Sequence, residues 1–443
     1  MKKNNKKNNN NVQQGISEKY ALCLVDVKNI GTRTFSYIIP DNLRNEIKIG
    51  QAVSVPFGNR KQSIIAFIVG FSDYLEEGIK AKEIIKIIDR CSVFSLDYLK
   101  MLDWIANYYC CDINLVLQAA IPMKFLKENV KNNIKEKTEK YIIYKTKSGA
   151  TSRQIKILNE LENRGEIPLI QFEKSIKTTR QTILKMQTAG YIELIEKPVY
   201  RNPLNVFKNI QRDEFPNLSN DQQKIFEDIS KKIDKGITYP ILLNGVTGSG
   251  KTEIYFRLIK KVLDEGKNVL FLAPEIALAS QLTLRLIKRF DSDKVAVWHS
   301  SISDGEKYDV WNKLRQNQIR IIIGARSAIF APLNNIGLVV IDEEHENTYK
   351  QISPAPRYDA RTVAEKICEI NKAVLLKGSA TPDVSSYYKA LSTNNLITLN
   401  NRYKNVDMAK VTLVDMREEF YRESRSIFSN TLISSSRHKD KKK

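Results

Sequence analysis

Cysteine is scarce: the 443 residues hold five, Cys23, Cys91, Cys110, Cys111 and Cys368. None forms a C-x-x-C pair, so no zinc site is visible. The odd, scattered set excludes a disulfide framework and suits reduced thiols in a cytoplasmic protein, and all five read as small core residues. Long apolar runs are missing too, which argues against a helix that spans a membrane. The opening "MKKNNKKNNNNVQQG" has no apolar centre and is not a secretory leader. Residues 1–18 read as a disordered Lys/Asn tail. Acidic residues are in deficit, 50 against 71 Lys and Arg, for a formal net charge of +21. Nucleic acid is a natural partner for that surplus, because each neutralised phosphate releases counterions. The chain is also rich in Asn and Ile, a bias that inflates Lys everywhere, so charge alone favours nucleic acid only modestly.

What is present is enough chain for two to four domains with real cores. Residues 20–90 hold short β-type runs, "YALCLVDV", "TRTFSYIIP", "QAVSVPFG", "SIIAFIVGF" and "KEIIKIID", punctuated by Gly31, Pro40, Gly50 and Gly58. They predict a small β-rich domain over 19–122, a partly open barrel, closed off by one helix over 97–119. The charged string "KENVKNNIKEKTEK" predicts a linker over 123–149. Over 150–200, three amphipathic helices and a strand predict a winged-helix module, equally suited to DNA binding and to a spacer role. From residue 201 to 400 the pattern is strand, helix, strand, with near-continuous apolar strands such as "YPILLNG", "KNVLFLAP" and "IGLVVIDEE". That pattern belongs to a parallel sheet covered on both faces, so the expected class is multidomain α/β. Residues 401–443 begin a further region with a basic end.

The chemistry starts where "ILLNG" runs into "VTGSGKTEIYF". Gly245 to Thr252 has the spacing G-x-x-x-x-G-K-T between an apolar strand and a helix, which is the context a P-loop requires. Glycines there let backbone N–H groups form an anion nest, and the helix start adds its positive dipole. The expected nucleotide-binding set is Gly245, Thr247, Gly248, Ser249, Gly250, Lys251, Thr252 and Glu253. Lys251 is expected on the β- and γ-phosphates and Thr252 on Mg²⁺. In "LVVIDEEH", Asp342 is a second Mg²⁺ ligand, and Glu343 orients the attacking water. His345 then couples nucleotide state to DNA. "LLKGSATP" ends a strand in Ser379 and Thr381, placed to sense the γ-phosphate. P-loop, then Asp-Glu-x-His, then Ser-Ala-Thr is the order of superfamily 2 helicases.

The strings "GVTGSGKTEIY", "APEIALASQL", "WHSSISDGEKYDVW", "IIIGARSAIFAP", "VVIDEEHENTYKQ", "PRYDAR" and "GSATP", with "RTFSYIIP" and "VSVPFG" near the start, span nearly 20–420. Together they resemble the replication-restart primosomal helicases, the primosomal protein N′ (PriA) family. The resemblance implies an ATP-dependent 3′-to-5′ DNA helicase that recognises stalled forks and starts primosome assembly. It makes 19–122 a domain that captures the 3′ end of a nascent strand, with Phe35, Ser36, Gly58 and Lys82 in its pocket. The family often has Asp where this chain has Ser36. Gln222 matches an adenine-reading glutamine. Tyr349, Lys350, Arg357 and Tyr358 match an aromatic-rich loop that stacks bases and links DNA contact to hydrolysis; Asp359 stands where the family tends to have His. Arg326, with Pro274 and Glu275, matches the DNA track. Implied partners are forked and single-stranded DNA, a single-strand-binding protein and primosome proteins. The family continues into a zinc segment of paired cysteines and a second RecA-like lobe that supplies an arginine finger. Here no cysteine follows Cys368, and the chain ends in "SSSRHKDKKK". The expectation is therefore an N-terminal portion, truncated before both and slow in hydrolysis, with ATP and Mg²⁺ as its own cofactors. Two other readings stay open: a fork-binding fragment without turnover, and another superfamily 2 translocase.

Overall fold

The computed structural model describes residues 16–27, 34–59, 62–122, 126, 138–176, 178–198, 211–274, 281–299, 301–403, 411–421 and 426–434. Most of the expected Lys/Asn tail, the greater part of the linker and Glu275 lie outside them. Among the described residues no helix is long and apolar enough to cross a membrane. Residues 1–400 and 401–443 are separate units; in the second, a short helix spans Met416–Tyr421.

The first unit begins with six strands: β1 (Tyr20–Val25), β2 (Phe35–Ile38), β3 (Ala52–Val55), β4 (Ile64–Ser72), β5 (Lys82–Glu83) and β6 (Lys86–Ile87). Their order is β5-β2-β1-β4-β3-β6. The expected partly open barrel is closed by one short segment. Ile84 N–H donates to Ile38 O at one edge of the sheet, and Ile85 N–H donates to Ser54 O at the other (3.1 and 2.9 Å). Alternate residues Ala21, Cys23 and Val25, Val53 and Val55, Ala66 and Ile68 fill the interior, as the period of two dictates. Residues of the opposite face, Leu24, Ala52 and Phe67, are buried as well, against Met101, Leu102 and Ile105. Ile16 to Glu18, expected in the tail, are held in place: the Arg44 guanidinium donates to all three carbonyls (3.3, 3.3 and 3.0 Å).

The single helix expected over 97–119 is two, Leu96–Tyr108 and Ile113–Ala120. Cys110 between them adopts a positive φ of 49°, and Asp112 caps the second helix by accepting from Asn114 N–H (2.9 Å). Of the five cysteines, Cys23 and Cys368 are buried, whereas Cys91 and Cys110 are exposed, so the core reading holds for part of the set.

Tyr98 of the first helix donates to Phe330 O (2.7 Å), which ties the barrel layer to the large sheet. Arg315 makes a second tie, donating to Asp89 Oδ2, Ser92 O and Cys91 O (2.9, 2.9 and 2.7 Å). The Arg315 side chain is only 10% exposed, so its charge-assisted bonds are little screened. Arg315→Ala is expected to cost about 2 kcal/mol, read as a lower thermal midpoint and faster proteolysis within 89–95. Unchanged cleavage there would show the tie to be idle.

Residues expected to link the domains begin the next layer instead. β7 (Thr138–Tyr144) pairs antiparallel with β8 (Ile167–Pro168) and along its whole length with β9 (Ile192–Pro198). The string "TEKYIIY" lies at the end of a charged run, which masked its alternation. Helices Ser152–Arg164, Leu169–Ile176 and Arg180–Thr188 pack on this sheet around Leu158, Leu161, Phe172 and Ile183.

The large sheet has seven strands: β10 (Ile241–Gly245), β11 (Asn268–Leu272), β12 (Val295–Trp298), β13 (Ile321–Gly324), β14 (Ile336–Ile341), β15 (Val374–Ser379) and β16 (Leu396–Leu399). All its pairings are parallel, in the order β12-β13-β11-β14-β15-β10-β16. β16 follows a helix, Val384–Ser392, and neither is evident as a motif. Helix Lys251–Asp264 packs on one face through Ile254, Phe256 and Leu258. Helix Ala360–Asn371 packs on the other through Val363, Ala364 and Ile367. This order sets β15 between β10 and β14, so three loops leave the same carboxyl edge side by side, where ligands of such sheets gather.

Candidate nucleotide site and strand-end pocket

β10 ends on Gly245, and the chain turns through 246–250 into helix Lys251–Asp264. Gly248 and Gly250 have φ of +80° and +87°, a region that strains residues with a Cβ. Close approach adds to this at Gly250, where a Cβ would sit 2.3 Å from Gln222 Nε2. Lys251 folds back over the loop and donates to Gly245 O (2.7 Å), which leaves its ammonium buried. Ser249 Oγ is buried and without a partner. These features fit a polyphosphate: loop amides, an orphaned hydroxyl and a buried cation all lack an anionic acceptor. Thr247 lies within the loop, exposed, and Thr252 on the first turn of the helix, half-buried. Glu253, expected with them, turns away. Its carboxylate faces Arg289 and Arg285 of helix Gln281–Arg289 at 3.8 and 3.9 Å, as charge requires of a group that phosphate would repel.

Gln222 is placed beside the loop but is engaged at both ends. It lies in the capping box of helix Asn220–Asp234, its Oε1 accepting from Ser219 N–H (2.9 Å). Its Nε2 donates to Ser249 O (2.8 Å), so it buttresses the P-loop, and adenine contact requires exchange of those partners.

β14 delivers Asp342 to the neighbouring edge. Its carboxyl is pushed up to about 6, by burial first and by the Glu343 charge second, with Lys251 opposing. Tyr255 donates to Asp342 Oδ1 (3.2 Å) and Tyr349 to Asp342 O (2.6 Å). Glu343 has φ of +45°, a strained conformation for a residue with a Cβ, and its carboxylate lies 3.7 Å from His345 Nδ1. His345 Nδ1 shares a hydrogen bond with Ser379 Oγ (2.8 Å), which also accepts from Thr381 N–H (3.0 Å). Asp342, Glu343, His345, Ser379 and Thr381 are therefore one network across β14 and β15.

Glu344, between them, was given no role by the motif. It is fully buried, accepting from Asp383 N–H (2.8 Å) and Ser386 Oγ (2.9 Å), while its own N–H donates to Gly378 O (3.0 Å). The third acidic residue of "DEEH" was its only signal.

The loop after β14 departs from expectation. Tyr349 and Tyr358, expected to stack on bases, are buried at 1% and 2% exposure. Tyr349 is anchored on Asp342, and Tyr358 packs edge-on against Phe330 (5.0 Å). Their rings belong to the core, and it is Lys350 and Arg357 that face solvent. Arg326 donates to Thr348 O and Lys350 O (3.2 and 2.9 Å), clamping the loop root. Asp359 pairs with Arg361 (Oδ2 to Nη2, 2.7 Å), and Arg361 Nη1 donates to Glu344 O (2.9 Å). Burial disfavours the Asp359 charge, but the Arg361 hydrogen bonds and charge outweigh it and hold the carboxyl below its ordinary value. The loop root is thus bonded to the main chain of both Asp342 and Glu344.

In the barrel, Phe35, Ser36, Gly58 and Lys82 line one cavity of about 840 Å³ with Phe57, Tyr74 and Lys80. Barrel closure brings them together: β5 runs parallel to β2 with Lys82 opposite Tyr37, and Lys82 Nζ donates to Gly58 O (2.8 Å). Phe35 meets Phe57 edge to face at 5.2 Å. Two aromatic rings and two lysines suit a stacked base and a phosphate.

A family model described as the 3′ DNA-binding domain (3′BD) of PriA matches residues 23–122, which contain Phe35, Ser36, Gly58 and Lys82 of that cavity. The model for the res subunit of type III restriction enzymes matches residues 215–384. The replication restart protein PriA of Bacillus subtilis is 34% identical over 94% of this chain and 60% of its own length. That of Synechocystis is 30% identical over 93% of this chain and 58% of its own. The chain is similar to PriA proteins along nearly its whole length. It spans about 60% of the length of these PriA relatives. A structure of RecG bound to a three-way DNA junction aligns at 25% identity over 42% of this chain and 24% of that one, with a TM-score of 0.31. The first model thus covers the lining named for the barrel cavity, and the second runs from before the P-loop past Thr381.

Proposed function

We propose that this chain is the fork-reading and ATP-binding portion of a 3′-to-5′ DNA helicase of replication restart. The observation that carries the proposal is the pairing, in one folded unit, of the Lys251–Asp342 edge with the Phe35–Lys82 cavity. Bound ATP and Mg²⁺ supply the phosphoryl group and its charge neutralisation. Lys251 and the loop amides bind the phosphates, while Thr252 and Asp342 hold the ion. Glu343 orients a water and takes its proton at the carboxylate. Ser379 and His345 connect that edge to the loop that follows, where Lys350 and Arg357 meet the DNA backbone. In the barrel cavity the terminal base stacks on Phe35, and Lys82 neutralises its phosphate. Forked and single-stranded DNA are the substrates, in the cytoplasm, with a single-strand-binding protein and primosome proteins as partners by family likeness.

Phe35→Ala is expected to weaken binding of a fork with a free nascent 3′ end about tenfold, the loss of one stacked base, while binding of a fork with that end blocked stays unchanged. Fluorescence anisotropy reads both. Equal affinity of the variant and the unmodified chain for the free end would overturn the end-capture reading.

A further inference from the structure

One turn past Lys251, Tyr255 points into the sheet. It is fully buried, with its ring edge-on to Phe271 of β11 (5.9 Å, 70°). Phenylalanine would satisfy that packing. The hydroxyl has a separate purpose, since a buried phenol requires a partner. Its partner is Asp342 Oδ1, at 3.2 Å. The neighbouring strand makes room: a Cβ at Gly378 would lie 1.6 Å from the Tyr255 oxygen. Gly378 has ordinary backbone geometry among residues of β15 and is not at positive φ, so this hydroxyl, not a turn, accounts for the glycine. One side chain therefore joins the helix that carries Lys251 and Thr252 to the tip of β14, across β15.

We propose that Tyr255 is a positioning residue for the Mg²⁺-holding carboxylate. Its hydroxyl engages Oδ1 and fixes the orientation of Asp342 relative to Thr252, which lies less than one turn away on the same helix. The proposal rests on the reading of Asp342 as an ion ligand. It assigns the hydroxyl no contact with nucleotide and no proton transfer.

The test uses the full chain with Tyr255→Phe, which removes one oxygen and keeps the ring. A fluorescent ADP analogue is titrated with Mg²⁺ and in EDTA, and Mn²⁺ binding is followed by electron paramagnetic resonance with ADP present. The expected result is about a tenfold loss of ion affinity, the usual consequence of removing a group that orients a metal ligand, with nucleotide affinity in EDTA unchanged. Gly378→Ala, which displaces the hydroxyl but keeps it, is expected to reproduce the loss and guards against a packing defect peculiar to the first variant. Asp342→Asn separates the two levels of the argument. If Asp342→Asn loses the ion and neither other variant does, the positioning role of Tyr255 is wrong and the ligand reading stands. If Asp342→Asn keeps the ion, the ligand reading itself is wrong and the role of Tyr255 goes with it.

Discussion

Lys251→Ala is expected to lower affinity for ATP about 100-fold, equivalent to about 3 kcal/mol. Lys251 is 8% exposed, so its hydrogen bonds to phosphate form in a poorly screened site and are of the strong, charge-assisted kind. In the nucleotide-free chain it rests on Gly245 O, a neutral acceptor that a phosphate oxygen outcompetes. Truncation opens space beside that carbonyl for a water, which replaces the lost donor. The fold therefore keeps its thermal midpoint, and the DNA binding proposed for the barrel cavity is expected to be unchanged, since no P-loop residue lines that cavity. Isothermal calorimetry with ATP and Mg²⁺ measures the loss. Micromolar binding retained in the variant would remove Lys251 from the phosphate site and leave the glycine turn as mere structure.

Local strings disclosed the P-loop because its physics is local: glycine conformation, strand before, helix after. They disclosed Phe35, Ser36, Gly58 and Lys82 only through family likeness, since barrel closure brings the four to one cavity and no periodicity encodes that closure. Exposure was the least legible quantity. Tyr349 and Tyr358 stand beside Lys350 and Arg357, a pattern that suits base stacking, yet both rings are core, because the loop turns back on itself through the Lys350–Asp359 bridge. Gln222 was legible as a site neighbour and not as a buttress, because its bond to Ser249 O depends on where helix Asn220–Asp234 sits. Asp359 stands where the family tends to have His, and nothing in the string shows that it pairs with Arg361, two positions on, which bonds Glu344 O.

Glu344→Ala is expected to destabilise the large sheet's unit by about 3 to 4 kcal/mol. The carboxylate is fully buried and is the acceptor for two donors of the segment after β15, Asp383 N–H and Ser386 Oγ. Each donor left unmade in a buried site costs about 1 to 3 kcal/mol, and the vacated volume adds a cavity term. The damage is directional. Asp383 is the N-cap of helix Val384–Ser392, so the loosened segment is the one that carries Thr381 beside the Asp342 edge, and the barrel is untouched. Hydrogen exchange should rise in 379–392 and stay level in β1 to β4, along with a lower urea midpoint. Glu344→Gln should fall between, because the amide oxygen accepts from Asp383 N–H and its NH₂ can donate to the Ser386 hydroxyl, both as weaker, uncharged bonds. If Glu344→Ala exchanges like the unmodified chain over 379–392, the carboxylate is not what fastens this segment; the Arg361 bond to the Glu344 main-chain carbonyl is kept by the variant and stands either way.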